Sequence, residues 1–331
     1  MEISFPYFLN RRTPVRAAGA IGPVFMKMKI CISVVLIGVT VESALSCDLC
    51  AIYSATEAQG GTGRGFFGGV AEQFTEFGTL QDNGQKIGSE GQYIHSSVSQ
   101  VFAGYNFNDR ISLQLNLPVI YHAYGSDTQH GTVSGIGELS LTGNFKAYEK
   151  LAESYTFDWT LLGGVKFPTG DSSKLNTPDE DLPEGIGGHD LALGSGSYDG
   201  IVGTGFYGRW KRGFFSASVQ YSIRSEGDFE HQYANDLTWF GGPGVYLGLT
   251  HDYALSLEAI VSGENKGKDT FSAVEDPDSA ETLVYLGPQI NFTWRSKLSV
   301  LLAADLPVFR DNSGVQVMPD YRVRGAFTWR F

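Results

Sequence analysis

Basic residues are scarce: 24 Lys and Arg stand against 36 Asp and Glu, a net charge of −12 at pH 7. Phosphate binding needs clustered cations, so nucleic acid is excluded as a partner. Cysteine is nearly absent, with three in 331 residues. No Rossmann, P-loop or zinc-hydrolase pattern occurs, and no low-complexity tract. The apolar run at 30–41 is too short to cross a membrane as a helix. Mean hydropathy is −0.10, which excludes a helical membrane bundle. A transmembrane barrel survives that test. Its strands alternate lipid-facing apolar residues with polar ones facing the lumen, and the mean cancels.

Glycine and aromatics are abundant instead, with 42 Gly, 22 Phe and 16 Tyr. Near the N-terminus, Met26-Lys27-Met28-Lys29 is a short basic stretch followed by the apolar run. Ala44-Leu45-Ser46 then forms a small-x-small cleavage site before Cys47. This is the layout of a cleavable secretory signal, with Met26 as the expected true start. The expected organisation is an N-terminal extension and signal at 1–46, a periplasmic segment with a CxxC pair at 47–64, and one barrel at 65–331.

From there the chain reads as segments of period 2 bounded by turn residues. At 321–331, Tyr321, Val323, Gly325, Phe327, Trp329 and Phe331 alternate with Arg322, Arg324, Ala326, Thr328 and Arg330. One face is aromatic and the other cationic. Ile111, Leu113, Leu115, Leu117 and Val119 form a similar face, as do Phe215, Ala217, Val219, Tyr221 and Ile223. Short turns are expected near 106–109, 211–213, 250–252 and 295–297. Long polar loops are expected near 78–92, 121–135, 169–193, 224–236, 262–281 and 309–320. Six long loops alternating with short turns imply an antiparallel transmembrane β-barrel of about twelve strands, with short periplasmic turns and long extracellular loops. The fold class is all-β, and the expected location is the bacterial outer membrane.

Candidate chemistry is sparse. Cys47 and Cys50 could form a local disulfide, stay inert, or hold a soft metal or exchange disulfides. No His follows Cys50, so haem attachment is not indicated. The loop at 169–193 is acidic, and Asp171 and Asp190 are its constriction candidates; a solvated surface or cation-bridged contact with lipopolysaccharide is the plainer reading. No His sits in a recognisable catalytic motif; His95 beside Ser96 and Ser97 comes nearest. An enzyme is therefore not expected, and no cofactor is called for. Arg322, Arg324, Asp305, Lys166 and Glu258 are the lumen-facing candidates. Folding the last hairpin about 309–320 places Asp305 near Arg324, which predicts an ion pair and leaves Arg322 to meet solute, Glu72 or Glu76.

Phe167-Pro168-Thr169-Gly170-Asp171 and Leu193-Gly194-Ser195-Gly196-Ser197-Tyr198-Asp199 flank the third long loop. With Leu115-Asn116-Leu117-Pro118 and the last strand, they resemble the outer-membrane family associated with the meta-pathway of phenol degradation, over about 65–331. The resemblance implies transport of hydrophobic or aromatic compounds. The final aromatic strand ending on Phe331 also resembles the signal read by the barrel assembly machinery. The expected function is a passive outer-membrane channel for small molecules, with membrane lipids, lipopolysaccharide, the assembly machinery and a small solute as partners. The alternative is a barrel that anchors a periplasmic redox or metal site at Cys47 and Cys50.

Overall fold

The computed structural model describes residues 64–331 apart from 153. The expected secretory signal, the expected start at Met26 and the Cys47–Cys50 pair lie outside the described residues. Twelve long strands follow one another: β1 (Gly65–Asp82), β2 (Tyr93–Asn106), β3 (Ile111–Gly125), β4 (Ser140–Leu151), β5 (Tyr155–Lys166) and β6 (Asp199–Trp210). Then come β7 (Gly213–Ile223), β8 (Asp236–Leu249), β9 (Tyr253–Lys266), β10 (Glu281–Trp294), β11 (Leu298–Asn312) and β12 (Val315–Arg330). Each pairs antiparallel with its sequence neighbour, and β12 returns to β1 in a register running from Phe67↔Arg330 to Asp82↔Val315. The sheet is closed, so no barrel strand is left as an open edge.

Side-chain alternation explains what this closed sheet does. On β3, Ile111, Leu113, Leu115, Val119 and Tyr121 are exposed on the outside, while Gln114, Asn116 and His122 are buried inside. The outer face of β12 carries exposed Tyr321, Val323 and Phe327, and its inner face buries Arg322, Arg324 and Thr328. A soluble barrel would invert this pattern. Apolar residues outside and polar ones inside, with every ladder closed, are what a hydrocarbon solvent demands. The protein is a twelve-stranded antiparallel barrel of the bacterial outer membrane.

Short turns close one end, at 107–110, 152–154, 211–212, 250–252 and 295–297. The opposite end carries the longer connections at 83–92, 126–139, 167–198, 224–235 and 267–280. The sixth expected long loop, at 309–320, is not a loop. Strand β11 continues to Asn312, β12 resumes at Val315, and only Ser313 and Gly314 turn between them. Gly314 supplies the left-handed backbone (φ 59°) that so tight a turn requires. Asp311, Asn312 and Asp320 read as loop residues because they are polar, yet they extend the hairpin's strands. The stretches near 78–82, 121–125 and 262–266 do likewise. A folded-back strand, His130–Ile136, pairs with the upper part of β3.

A further correction concerns β1. Glu72 and Glu76 sit on its outer face, opposite the buried Gln73 and Thr75, so neither can meet Arg322 in the lumen. Glu72 lies between Val70 and Phe74 and accepts hydrogen bonds from Ser97 Oγ (2.6 Å) and from Ser99 Oγ. Glu76 pairs with His95 at 3.1 Å, also outside.

The connection 167–198 folds inward. It leaves β5, carries two short turns of 3₁₀ helix and one turn of α-helix, α1 (Gly188–Leu191), and returns to β6. Its middle reaches the wall formed by β12, β1, β2 and β3: Leu182, Ile186 and Leu191 pack on Leu80, Ile94, Tyr124 and Val317. The Val317 amide donates to the Gly185 carbonyl at 3.0 Å. Five strands lie between β6 and β12 on either side of the barrel, so the loop crosses the mouth to the opposite wall. It is a plug.

Candidate functional site in the occluded lumen

Below the plug, the periplasmic half of the lumen holds a cavity of about 450 Å³. Asn144, Thr160, Ser256 and Glu258 line it together with Phe206, Phe214, Phe240 and Leu301, so it is a vestibule of mixed polar and apolar lining. Tyr207 and Tyr246 share a hydrogen bond between their hydroxyls at 2.7 Å. Glu258 faces inward and accepts from Ser216 Oγ. Toward β12, β1 and β2 the lower lumen is filled by Phe67 and Phe102, packed with Ala71, Leu301, Ala303 and Ala326.

The plug is held at its neck by the two glycine-containing phrases. The Leu193 amide donates to the Asp171 carbonyl at 3.0 Å, so the outgoing and returning chains lie side by side. Gly170 is required by that approach, since a Cβ there would stand 2.2 Å from the Leu193 carbonyl oxygen. Thr169 Oγ1 donates to the Gly137 carbonyl (2.9 Å) and accepts from the Leu139 amide (2.8 Å). On the returning side, the Ser195 amide and hydroxyl both donate to Glu138 Oε1 at 2.8 Å. Ser197 Oγ donates to Asp199 at 2.7 Å.

Beneath the neck runs a chain of alternating charges. Lys166 pairs with Glu138 and with Asp199 (2.6 Å), and Arg224 joins Asp199 (2.9 Å) to Asp236 (2.6 Å). All five side chains are buried. Buried charges on facing strands are costly alone, and each here has a partner of opposite sign. On the opposite wall Asp305 serves two cations: Arg324 Nε at 2.8 Å and Arg322 Nε at 3.0 Å. The register sets Asp305 opposite Arg322, with Arg324 one inward position deeper. Arg322 is not left to meet solute: its guanidinium lies 4.1 Å from the Tyr285 ring centroid and donates to Ser262 Oγ at 2.8 Å.

The plug helix is tied to two neighbouring loops. The Tyr233 hydroxyl donates to the His189 carbonyl at 2.9 Å. His189 Nε2 lies 3.3 Å from Asp190, and Nδ1 lies 3.9 Å from Asp276 in the 267–280 connection. Burial acts to lower the His189 pKa, but the carboxylates of Asp190, Asp269 and Asp276 outweigh it and raise the value. Nearby, burial lowers His231 to about 4, against a weaker upward pull from Asp269. Lys266 is fully buried on Asp269 at 2.8 Å and over the Tyr233 ring at 5.1 Å.

The sequence candidates thus have different fates. Arg322, Arg324, Asp305, Lys166 and Glu258 all face inward and are buried. Asp171 is exposed and caps a turn by accepting from the Ser173 amide at 2.9 Å, while Asp190 accepts from the Gly187 amide at 2.8 Å in the first turn of α1. Both act inside the plug's own structure. Glu138, Arg224, Asp236 and Lys266 escape the sequence reading, and Ser195 and Ser197 enter it only as part of a glycine-containing phrase. Asp236 and Lys266 end their strands, where an inward charge looks like the start of a loop. Among the described residues no group of His, Cys, Asp and Glu could hold a metal ion.

No family model matches the chain, and no curated protein sequence matches it. Solved structures do. An outer membrane channel from Pseudomonas putida F1 superposes with a TM-score of 0.63 at 15% identity, covering 82% of this chain and 96% of that one. The beta domain of the Bordetella autotransporter BrkA gives 0.43 at 11% identity, covering 80% and 99%. The translocator domain of the autotransporter NalP from Neisseria meningitidis gives 0.42 at 11% identity, covering 86% and 94%. The last two are too loose to carry functional information. The first is a likeness of fold, and the fold it shares is that of a closed outer-membrane barrel.

Proposed function

We propose that this protein is an outer-membrane channel for small molecules, closed at its outer mouth by the plug 167–198 and open below to a vestibule of mixed lining. One observation carries the reading: the plug crosses the mouth and meets the barrel through side-chain packing and single hydrogen bonds, such as Val317 to Gly185, whereas the wall around it is a continuous ladder. A lumen blocked by packed side chains would suit a purely structural barrel. A cavity of about 450 Å³ beneath a detachable cover suits a conduit. The Pseudomonas protein of the same fold is described as a channel, which supports the reading.

The solute class follows from two further points. The contact between plug and wall is apolar, through Leu182, Ile186 and Leu191 against Leu80, Ile94, Tyr124 and Val317. The resemblance of the neck phrases to the phenol meta-pathway barrels implies hydrophobic or aromatic cargo. Passage is passive, driven by the solute gradient. The test is planar-bilayer conductance of the full chain, with Glu138→Ala to free the Ser195 clamp. The variant should show larger and longer openings than the parent. If neither protein conducts under any condition, the channel reading fails.

A further inference from the structure

Seven polar atoms on one side of the lumen make no hydrogen bond to any described residue. They are Gln73 Nε2, Thr75 Oγ1, Ser96 Oγ, both amide atoms of Gln100 and both ring nitrogens of His122. All five side chains are inward and no more than 4% exposed. Their placement is ordered. Thr75 pairs in register with Ser96, and Ser96 with His122, so hydroxyl, hydroxyl and imidazole lie side by side across β1, β2 and β3. On the other flank Thr75 faces Arg322, and Gln73 faces Arg324.

This polar row is sandwiched. One inward position above it, Ile94 and Tyr124 pack against Leu191 of the plug. One inward position below it, Val98 and Ile120 pack against Leu193. Leu191 and Leu193 therefore complete the apolar layers on either side and bring nothing polar to the row between them. The plug backbone does not supply it either. The Ala192 amide donates to Gly188, and the Leu193 amide to Asp171. Buried donors and acceptors left without partners carry a desolvation cost that a hydrogen-bonding molecule would remove. A plug evolved only to seal would meet this row with polar groups, or the wall would be apolar throughout.

We infer that Thr75, Ser96 and His122, with Gln73 one inward position below, form a solute subsite on the β1–β3 wall. It takes a small uncharged molecule with an apolar body and one hydroxyl or carbonyl group. The body replaces Leu193 against Val98 and Ile120, and the polar group bonds to the row. The inference rests on the channel reading and narrows it: a pure hydrocarbon gains only the apolar half of the site. It also couples loading to opening, because the solute and Leu193 compete for one place.

The test compares cyclohexanol with methylcyclohexane, which swaps the hydroxyl for a methyl of similar size. Binding to the detergent-folded full chain is followed by ligand-observed NMR, with the empty-micelle signal subtracted. Cyclohexanol should bind about tenfold tighter, and should shift the His122 imidazole resonances. Thr75→Val with Ser96→Ala keeps the side-chain volumes close and should abolish the preference; Ser96→Ala alone should halve it or more if the pair does not fold. Leu193→Ala should raise the affinity for both probes. Equal binding of the two probes to the parent, an unmoved His122 signal, or an unchanged preference in the variants would overturn the subsite. Conductance is a separate readout: a preference for cyclohexanol in a protein that never conducts upholds the subsite and removes only the channel.

Discussion

At the scale of single residues, Asp305 decides the most. One carboxylate, fully buried, is shared by two guanidiniums. Removing it leaves two buried cations facing each other across neighbouring positions, which is the costly way to break such a group. Asp305→Asn should destabilise the barrel by about 3 kcal/mol in denaturant titrations of the detergent-folded protein. Because both arginines bind Asp305, reversing either charge should lower stability, and the parent's ion selectivity should not depend on Arg322 alone. That Asp305 and these arginines face one lumen was legible, because a period of two fixes the face once one residue is placed. The pairing was legible only in part. Register depends on where the chain turns, and a polar stretch that looks like a long loop moved the expected turn. The faces of Glu72 and Glu76 were not legible, since β1 mixes charged and apolar residues on its outer side. Glu72 now stands in the apolar belt with two serine hydroxyls for company. Glu72→Leu should leave stability unchanged or raise it by about 1 kcal/mol, because a lipid-facing acid gains little there. A clear loss would mean that the outer face is covered by another molecule at this point.

At the scale of elements, the plug is the part with a life of its own. Its neck depends on Gly170, so Gly170→Ala should loosen the cover without touching the wall. The expected result is raised conductance with unchanged heat-modifiability on gels; unchanged conductance would show that the neck does not hold the plug. Its helix also depends on pH. The His189 pKa is raised in the folded state, so its contribution is complete below about 6.5 and is lost as pH climbs through the raised value. His231 is lowered to about 4, so its contribution is complete above about 6.5 and is lost as pH falls toward 4. The attachment should therefore be firmest in mildly acidic to neutral solution. Conductance recorded from pH 5 to 9 should be lowest near the middle, and His189→Ala should erase the alkaline rise while keeping the acidic one. The sequence marked this loop as long, acidic and flanked by unusual glycine phrases. It did not mark where the loop goes. Leu182, Ile186, Leu191 and Leu193 follow no short period, and their partners lie on strands far away in the chain.

At the scale of the whole molecule, closure depends on β12. It pairs with β11 on one side and β1 on the other, so its outer aromatics lie along the seam that closes the barrel. Phe327→Ser with Trp329→Ser should cut the yield of heat-modifiable barrel severalfold; normal yield would show that the aromatic face is dispensable for assembly. The other consequence lies in the way the plug spans the mouth. The plug is a beam, rooted at Glu138, Lys166 and Asp199 and resting its free end on the far wall through Gly185 and Val317. The 267–280 connection leans over the β11–β12 turn, where the Ser313 amide donates to the Ala280 carbonyl at 2.8 Å, and it reaches the plug through Asp276 and His189. A molecule arriving there pushes at the longest arm from the root, where the smallest force gives the largest torque. In the proposed channel, the buried charges at the root keep the beam attached while its tip swings, so the cover lifts and settles again without the barrel losing its place in the membrane.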